Sequence, residues 1–109
     1  MNSLIMSWSS KTFYFGFLYA SDMVAQHKLS DLPDVKKDDQ TQAVLKMFDT
    51  SFLGMKEISN NSKKSPSFAN KGEAALVIHY IEELIKKGIK TDQIAVITPY
   101  NYQVKNTIL

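Results

Sequence analysis

Hydrophobic and polar positions alternate most regularly in the second half of the chain, over Glu73–Lys87. The apolar residues there recur every three or four positions, which is the spacing of one helical face. They are Val77, Ile78, Ile81, Leu84 and Ile85. Asn70 stands three residues before Glu73, as in a capping box, and Gly88 supplies a left-handed stop. The pattern predicts a helix with both ends defined.

Two shorter apolar runs predict strands. Residues Gln93–Ile97 are almost continuously apolar and too few for a helix, which is typical of a strand buried on both faces. Residues Ala43–Asp49 form a second, less pure candidate. Strands of this kind are usually parallel, and the two runs flank the predicted helix. The sequence therefore predicts an α/β fold with a right-handed β-α-β unit.

The remaining segments predict less regular structure. The N-terminal residues fit a short helix that runs into a buried turn at Gly16. Residues Asp22–Ser30 suit one or two helical turns before Pro33 interrupts them. Residues 54–69 are mostly polar and lack periodicity, so we expect a mobile loop there.

Composition places the chain among ordinary globular proteins. Its 109 residues are 44% apolar and 22% charged, which suits one domain, and no linker or internal repeat interrupts them. No apolar run reaches the ~18 residues of a membrane helix, so we expect no membrane partner. The stretch Thr12–Ala20 imitates the core of a secretory signal, although its aromatic residues and glycine differ from a leucine-rich core.

Several absences restrict the chemistry. The chain has no cysteine, and its histidines, His27 and His79, lie far apart, so we expect no disulfide, thiolate nucleophile or metal site. All thirteen basic residues are lysine, which excludes an arginine finger, and a net charge of +2 does not by itself mark a nucleic-acid binder. The chain also lacks a phosphate-binding glycine loop and a paired Asp-Glu for Mg²⁺. A complete nucleotide hydrolase is therefore excluded.

Candidate site residues follow the predicted strand 93–97. Thr98 is a good N-cap and Pro99 suits the first helical position, so free N–H groups of a helix would face the carboxyl edge of the sheet. That edge usually holds the ligand in parallel sheets, and a helix N-terminus there favours phosphate. Tyr100 offers a ring for stacking, and Gln103 offers an amide for hydrogen bonds. A plain strand-to-helix connection is an equally open interpretation.

Five segments, in their order and spacing, are similar to one known family. The most specific is Asp92–Val104, with its Ile-Thr-Pro-Tyr. The others are Met1–Gly16, Val24–Pro33, Met47–Thr50 and Asn70–Ala74. Together they resemble the second RecA-like domain of superfamily 1 helicases, in the branch of the nonsense-decay RNA helicases and the immunoglobulin-mu-binding-protein helicases. The resemblance covers nearly the whole chain.

That resemblance implies an ATP-dependent enzyme that moves along single-stranded DNA or RNA and unwinds duplexes, with ATP and Mg²⁺ held between two RecA-like domains. It implies nucleic-acid contacts for Thr98, Pro99 and Tyr100, and it extends them to Gln103. Glu73 matches the glutamate of the family's Asn-x-x-Glu-Ala. Two roles are open for it, a cap of the helix that begins there or a contact with the cofactor. The location implied is the nucleus or the cytoplasm.

The resemblance is incomplete, because the family's phosphate loop, magnesium-binding acids and arginine motifs fall outside this sequence. We therefore expect residues 1–109 to form a partial RecA-like domain that binds no ATP or Mg²⁺ alone. Its expected partners are a single strand of DNA or RNA and the missing first RecA-like domain. The alternative is a free-standing, non-catalytic α/β module for nucleic-acid binding or another interaction. The few strands and the unfinished apolar pattern at Ile108–Leu109 favour a part of a larger protein.

Overall fold

The computed structural model of the protein describes residues 1–60 and 65–107. The centre of the predicted loop, 61–64, and the pair 108–109 lie outside the described residues. The described part contains four α-helices and two strands. They are α1 (Ser3–Phe13), α2 (Asp39–Gln42), β1 (Glu57–Ser59), β2 (Phe68–Asn70), α3 (Lys71–Lys86) and α4 (Asn101–Thr107). In this part of the chain, no helix is long and apolar enough to span a membrane.

The chain forms two compact units. The first contains Met1–Met47 with Lys87–Ile89, and the second contains Phe48–Lys86 with the residues from Lys90 onward. Composition does not predict this division, because no linker-like segment separates the units along the chain. The candidate site residues all belong to the second unit.

Helix α3 confirms the strongest sequence prediction, and it covers Lys71–Lys86. Its buried side chains are those of Ala74, Ile81 and Leu84. At its start, the Glu73 N–H donates to Asn70 Oδ1 at 3.2 Å, which is the predicted cap. Beyond its end, Gly88 has φ +99°, in the left-handed region that glycine adopts without strain.

The two predicted strands are wrong. After a 3₁₀ turn at Thr91–Gln93, residues 94–97 run without a strand partner among the described residues, and Ile97 is 93% exposed. Residues 43–49 are likewise irregular, and Met47 is 92% exposed. An extended segment becomes a strand only when a neighbour pairs with its N–H and C=O groups. Apolar composition predicts burial but does not supply that neighbour.

The predicted α/β fold class is therefore confirmed only in part. The described residues combine helices and strands, but their sheet is an antiparallel hairpin of β1 and β2, not the predicted parallel RecA-like sheet. The register pairs Glu57 with Asn70 and Ser59 with Phe68. Most of this hairpin lies in the segment 54–69, for which the sequence predicts a loop. Strands of three residues are too short to show a periodic pattern, and the mobility of this segment stays a prediction.

The first unit confirms the N-terminal helix. Helix α1 begins after the capping residue Asn2, and the predicted turn at Gly16 has φ +83°. Phe15 in that turn is 90% exposed, so the predicted burial of the turn is wrong. The short helical segment expected before Pro33 is present only as turns at 22–26 and a 3₁₀ turn at Leu29–Asp31.

An ion pair between Asp38 and Lys87 joins the start of α2 to the residue that follows α3. The Asp38 carboxylate also accepts from the N–H groups of Gln40 (3.0 Å) and Thr41 (3.2 Å) in the first turn of α2. The Lys87 ammonium is the main cause, with these N–H groups, of a pKa of Asp38 below its ordinary value. The ion pair therefore links the stability of the first unit to pH.

We expect Asp38→Asn to lower the free energy of unfolding at neutral pH. We also expect this variant to lose less stability than the wild type when the pH falls into the acid range. Because its folded-state pKa is lowered, Asp38 stabilises the fold fully above its unfolded pKa of about 4 and loses that contribution as pH falls through the folded pKa. Urea midpoints at neutral pH and below pH ~3 measure the effect. Asp92→Asn is the control, since Asp92 is exposed and outside this cluster. Equal acid sensitivity of Asp38→Asn and the wild type would contradict the assignment.

Candidate nucleic-acid interface

The residues singled out in the sequence line one cavity of the second unit, with a volume of about 330 Å³. They are Glu73, Thr98, Pro99, Tyr100 and Gln103. Strand β2 and the first turns of α3 and α4 supply much of the lining, together with the segment 96–100. The structure thus brings two distant parts of the sequence to one place.

The ring of Tyr100 is held from one side and open on another. It is 46% exposed, and it meets the ring of Phe68 at an interplanar angle of 84°, with centroids 5.6 Å apart. This edge-to-face contact is favourable and orients the ring. Phe68 is therefore a further residue of the candidate site, one that the sequence pattern does not indicate. Its only signal is that it is a lone aromatic residue in an otherwise polar stretch.

Helix α4 begins later than the sequence predicts. Its first residue is Asn101, and the Tyr100 carbonyl accepts from the Val104 N–H at 3.2 Å, which makes Tyr100 the N-cap. The Thr98 hydroxyl accepts from the Tyr100 N–H only at 3.4 Å. The predictions of Thr98 as N-cap and of Pro99 at the first helical position are therefore wrong.

The side-chain cap of α4 comes from another part of the chain. The buried Ser67 hydroxyl accepts from the Tyr102 N–H at 3.0 Å, across 35 positions of sequence. It satisfies one of the donors that a helix N-terminus leaves free. The position of the cap depends on Ser67, which is distant in sequence. The local Thr-Pro pattern therefore predicted the wrong first residue of α4.

The amide of Gln103 is bound to the main chain of β2. Its Oε1 accepts from the Asn70 N–H at 2.6 Å, and its Nε2 donates to the Asn70 carbonyl at 3.2 Å. A longer contact joins Nε2 to Thr107 Oγ1 at 3.5 Å. The paired bonds fasten the first turn of α4 to the hairpin. The predicted contact of Gln103 with nucleic acid is not tested, but the amide would have to leave Asn70 to make it.

Glu73 forms only half of the predicted capping box. Its N–H donates to Asn70 Oδ1, but the reciprocal bond from the Asn70 N–H goes to Gln103. The Glu73 carboxylate therefore does not accept the Asn70 N–H as a capping box requires. It is exposed and lines the cavity, where its Oε1 accepts a long hydrogen bond from the Thr50 hydroxyl at 3.4 Å.

The charges around the cavity are negative. Its described lining contains two acids, Glu57 and Glu73, and no lysine. Lys105 lines a separate polar pocket of about 230 Å³. Carboxylates repel phosphate and accept hydrogen bonds from N–H and O–H groups. The cavity therefore suits a neutral ring with hydrogen-bond donors, which differs from the phosphate site that the sequence predicts.

Comparison with known sequences identifies the family. The sequence model of a family described as an AAA domain matches residues 1–107. DNA-binding protein SMUBP-2 of Rattus norvegicus is 38% identical over 104 residues, which are 95% of this chain. The chain belongs to the AAA domain of superfamily 1 helicases.

Other relatives of this helicase domain come from distant organisms. DNA polymerase alpha-associated DNA helicase A of Saccharomyces cerevisiae is 36% identical over 111 residues, which cover 97% of this chain. An uncharacterized ATP-dependent helicase of Methanocaldococcus jannaschii is 33% identical over 106 residues, which cover 96%. The chain spans 10% of the SMUBP-2 sequence and 16% of each of these two helicases. It therefore corresponds to a small part of its relatives.

Proposed function

We propose that this helicase-domain chain forms part of the second RecA-like motor domain of an ATP-dependent helicase, where it contacts a single strand of DNA or RNA. The observation that carries the proposal is the cavity in which Thr98 and Pro99 adjoin the half-exposed ring of Tyr100. Relatives that are named helicases and align with nearly the whole chain support it.

Tyr100 supplies the main contact of the proposed interface. Bases stack on aromatic side chains with little regard to sequence, and each stacked base contributes about 1–3 kcal/mol. Phe68 already holds the ring at a fixed angle, so little ordering of the ring remains when a base arrives. Thr98 and Pro99 form the adjoining wall, and Gln103 positions Tyr100 by fastening α4 to the hairpin.

ATP and Mg²⁺ belong to other parts of the helicase in this proposal. In residues 1–60 and 65–107, no group of three acidic or histidine side chains is placed to hold a metal ion. The carboxylate of Asp49 accepts from the N–H of Ser51 in its own turn (2.9 Å). Neither observation points to a magnesium-triphosphate site in the described residues. In this proposal the chain alone does not hydrolyse ATP, and its partner is the first RecA-like domain of a nuclear or cytoplasmic parent.

The exposed surface of the chain favours such a parent over a free-standing binding module. The solvent-accessible area is 8710 Å² for a mass of 12.4 kDa. Two separate compact domains of half this mass would expose only roughly 7,400 Å². Large apolar side chains contribute to the excess, among them Leu45, Met47, Phe52 and Ile97. Exposed apolar patches are typical of surfaces that another protein segment covers.

Replacing Tyr100 by Ala is expected to weaken single-strand binding by about 5- to 150-fold, which corresponds to one lost stacking contact. Fluorescence anisotropy of a labelled single-stranded oligonucleotide, titrated with the 109-residue chain at one salt concentration, measures the change. Tyr100→Phe retains the ring and should bind like the wild type.

Tyr19→Ala is the matched control, because Tyr19 is exposed and belongs to the first unit. It should leave binding unchanged. If Tyr19→Ala and Tyr100→Ala weaken binding equally, the cavity is not the interface. Circular dichroism of each variant separates a lost contact from a lost fold.

A further inference from the structure

The Glu73 carboxylate lines the same cavity as Tyr100 and is left free by its own helix. Gln103 has taken the main-chain donor of Asn70 that a capping glutamate would bind. Within the described residues, the carboxylate forms only the long bond from Thr50, and Lys86 and Lys87 pair with other acids. An acceptor of hydrogen bonds and a half-exposed aromatic ring thus line one cavity.

The cavity is the size of a small ligand site. Its volume of about 330 Å³ lies at the lower end of the range for such sites, roughly 300–1,000 Å³. Nucleobases differ in what they present to an acceptor. Cytosine carries an amino donor at N4, and acidic side chains accept from it, whereas uracil and thymine carry a carbonyl at the same position. A carboxylate attracts the first group and repels the second.

We propose that Glu73 is a specificity-determining residue of the interface, because its carboxylate accepts a hydrogen bond from the amino group of the base that stacks on Tyr100. This inference rests on the proposed function. It assigns the site a preference for cytosine over uracil in addition to any difference in stacking strength between the two bases. Glu73 is favoured over Glu57 because its carboxylate retains a contact, although a long one of 3.4 Å, with the Thr50 hydroxyl, whereas the Glu57 carboxylate has no hydrogen bond to the described residues.

The test compares oligo(dC) with oligo(dU) of equal length, since uracil avoids the methyl group of thymine. We expect the wild type to bind oligo(dC) about three- to tenfold more tightly than oligo(dU). This is the gain in affinity expected from one exposed charge-assisted hydrogen bond. Glu73→Gln should bring this ratio close to one, because an amide can also donate to the uracil carbonyl. Glu82→Gln makes the same charge change at an exposed position of α3 and should leave the ratio unchanged.

Three results would overturn the inference. The first is a ratio that Glu73→Gln leaves unchanged. The second is a loss of affinity in Glu73→Gln that is equal for oligo(rC) and oligo(rU) and absent with DNA, which would assign the carboxylate to the ribose 2′-hydroxyl. The third is displacement of oligo(dC) by ATP in the wild type but not in Glu73→Gln, which would make the cavity a mononucleotide site.

The Tyr100→Ala variant separates this inference from the function on which it rests. If Tyr100→Ala weakens both oligonucleotides while Glu73→Gln leaves their ratio unchanged, only the role of Glu73 fails. If the wild type binds neither oligonucleotide, or if Tyr100→Ala binds both like the wild type, the proposed function and the inference fail together.

Discussion

Replacing Gly88 by Ala should lower the free energy of unfolding by about 3 kcal/mol. Gly88 has φ +99°, which an L side chain rarely adopts. A Cβ atom at this position would also overlap the carbonyl oxygen of Asp34 and lie 3.1 Å from its carbonyl carbon. Backbone cannot move aside as a flexible side chain would, so strain and overlap add. Urea denaturation followed by circular dichroism measures the loss.

Gly16→Ala is the matched control for this substitution. Gly16 has φ +83° in the same unit, but among the described residues no atom beyond the adjoining positions lies within 4 Å of a Cβ atom built there. It should therefore show the conformational cost alone, about 1 kcal/mol. If the two variants lose equal stability, the close approach of Asp34 to Gly88 does not exist in solution.

Replacing Gln103 by Ala should cost about 2 kcal/mol, because two hydrogen bonds are lost and the partly buried N–H and C=O groups of Asn70 lose their partner. The Asn70 amide should then exchange its hydrogen with solvent much faster, which NMR detects at that one site. Gln103→Glu keeps the acceptor and loses the donor, so its stability should fall between those of the wild type and Gln103→Ala.

Gln93→Ala is the control. It tests whether the loss of any glutamine that binds the main chain near a helix start destabilises the fold as much as the loss of Gln103. Gln93 Oε1 also accepts a main-chain hydrogen bond, from the Lys90 N–H at 3.0 Å, but on an exposed turn. Its removal should cost no more than about 0.5 kcal/mol. An Asn70 amide that exchanges at the same rate in Gln103→Ala and the wild type would disprove the paired bonds.

Structural features that depend on neighbouring residues in the sequence could be predicted from the sequence. The start of α3 depends on Asn70 and Glu73, and its end depends on Gly88, so the local pattern contained the answer. The candidate interface is also partly local, since Thr98, Pro99 and Tyr100 are consecutive. The structure places all three in the lining of one cavity, and their contact with nucleic acid stays a prediction.

Features that need a distant partner were not predictable. The cap of α4 comes from Ser67, and the bonds that replace a capping box come from Gln103, more than thirty positions away. The strands predicted for the apolar runs 43–49 and 93–97 are absent because they too depend on distant partners. Their composition suits strands, but burial requires neighbouring strands that the described residues do not contain.

Three neighbouring residues hold α4 in place, since Ser67 caps it, Phe68 orients Tyr100 and Asn70 binds Gln103. A helix of seven residues is too short to persist in water alone. Helix α4 therefore depends on the hairpin for its order, and we expect the two to open together. Any fluctuation that opens the hairpin also releases Tyr100. If a single strand of DNA or RNA binds at Tyr100 as proposed, thermodynamic linkage should slow the exchange of the hairpin amides with solvent.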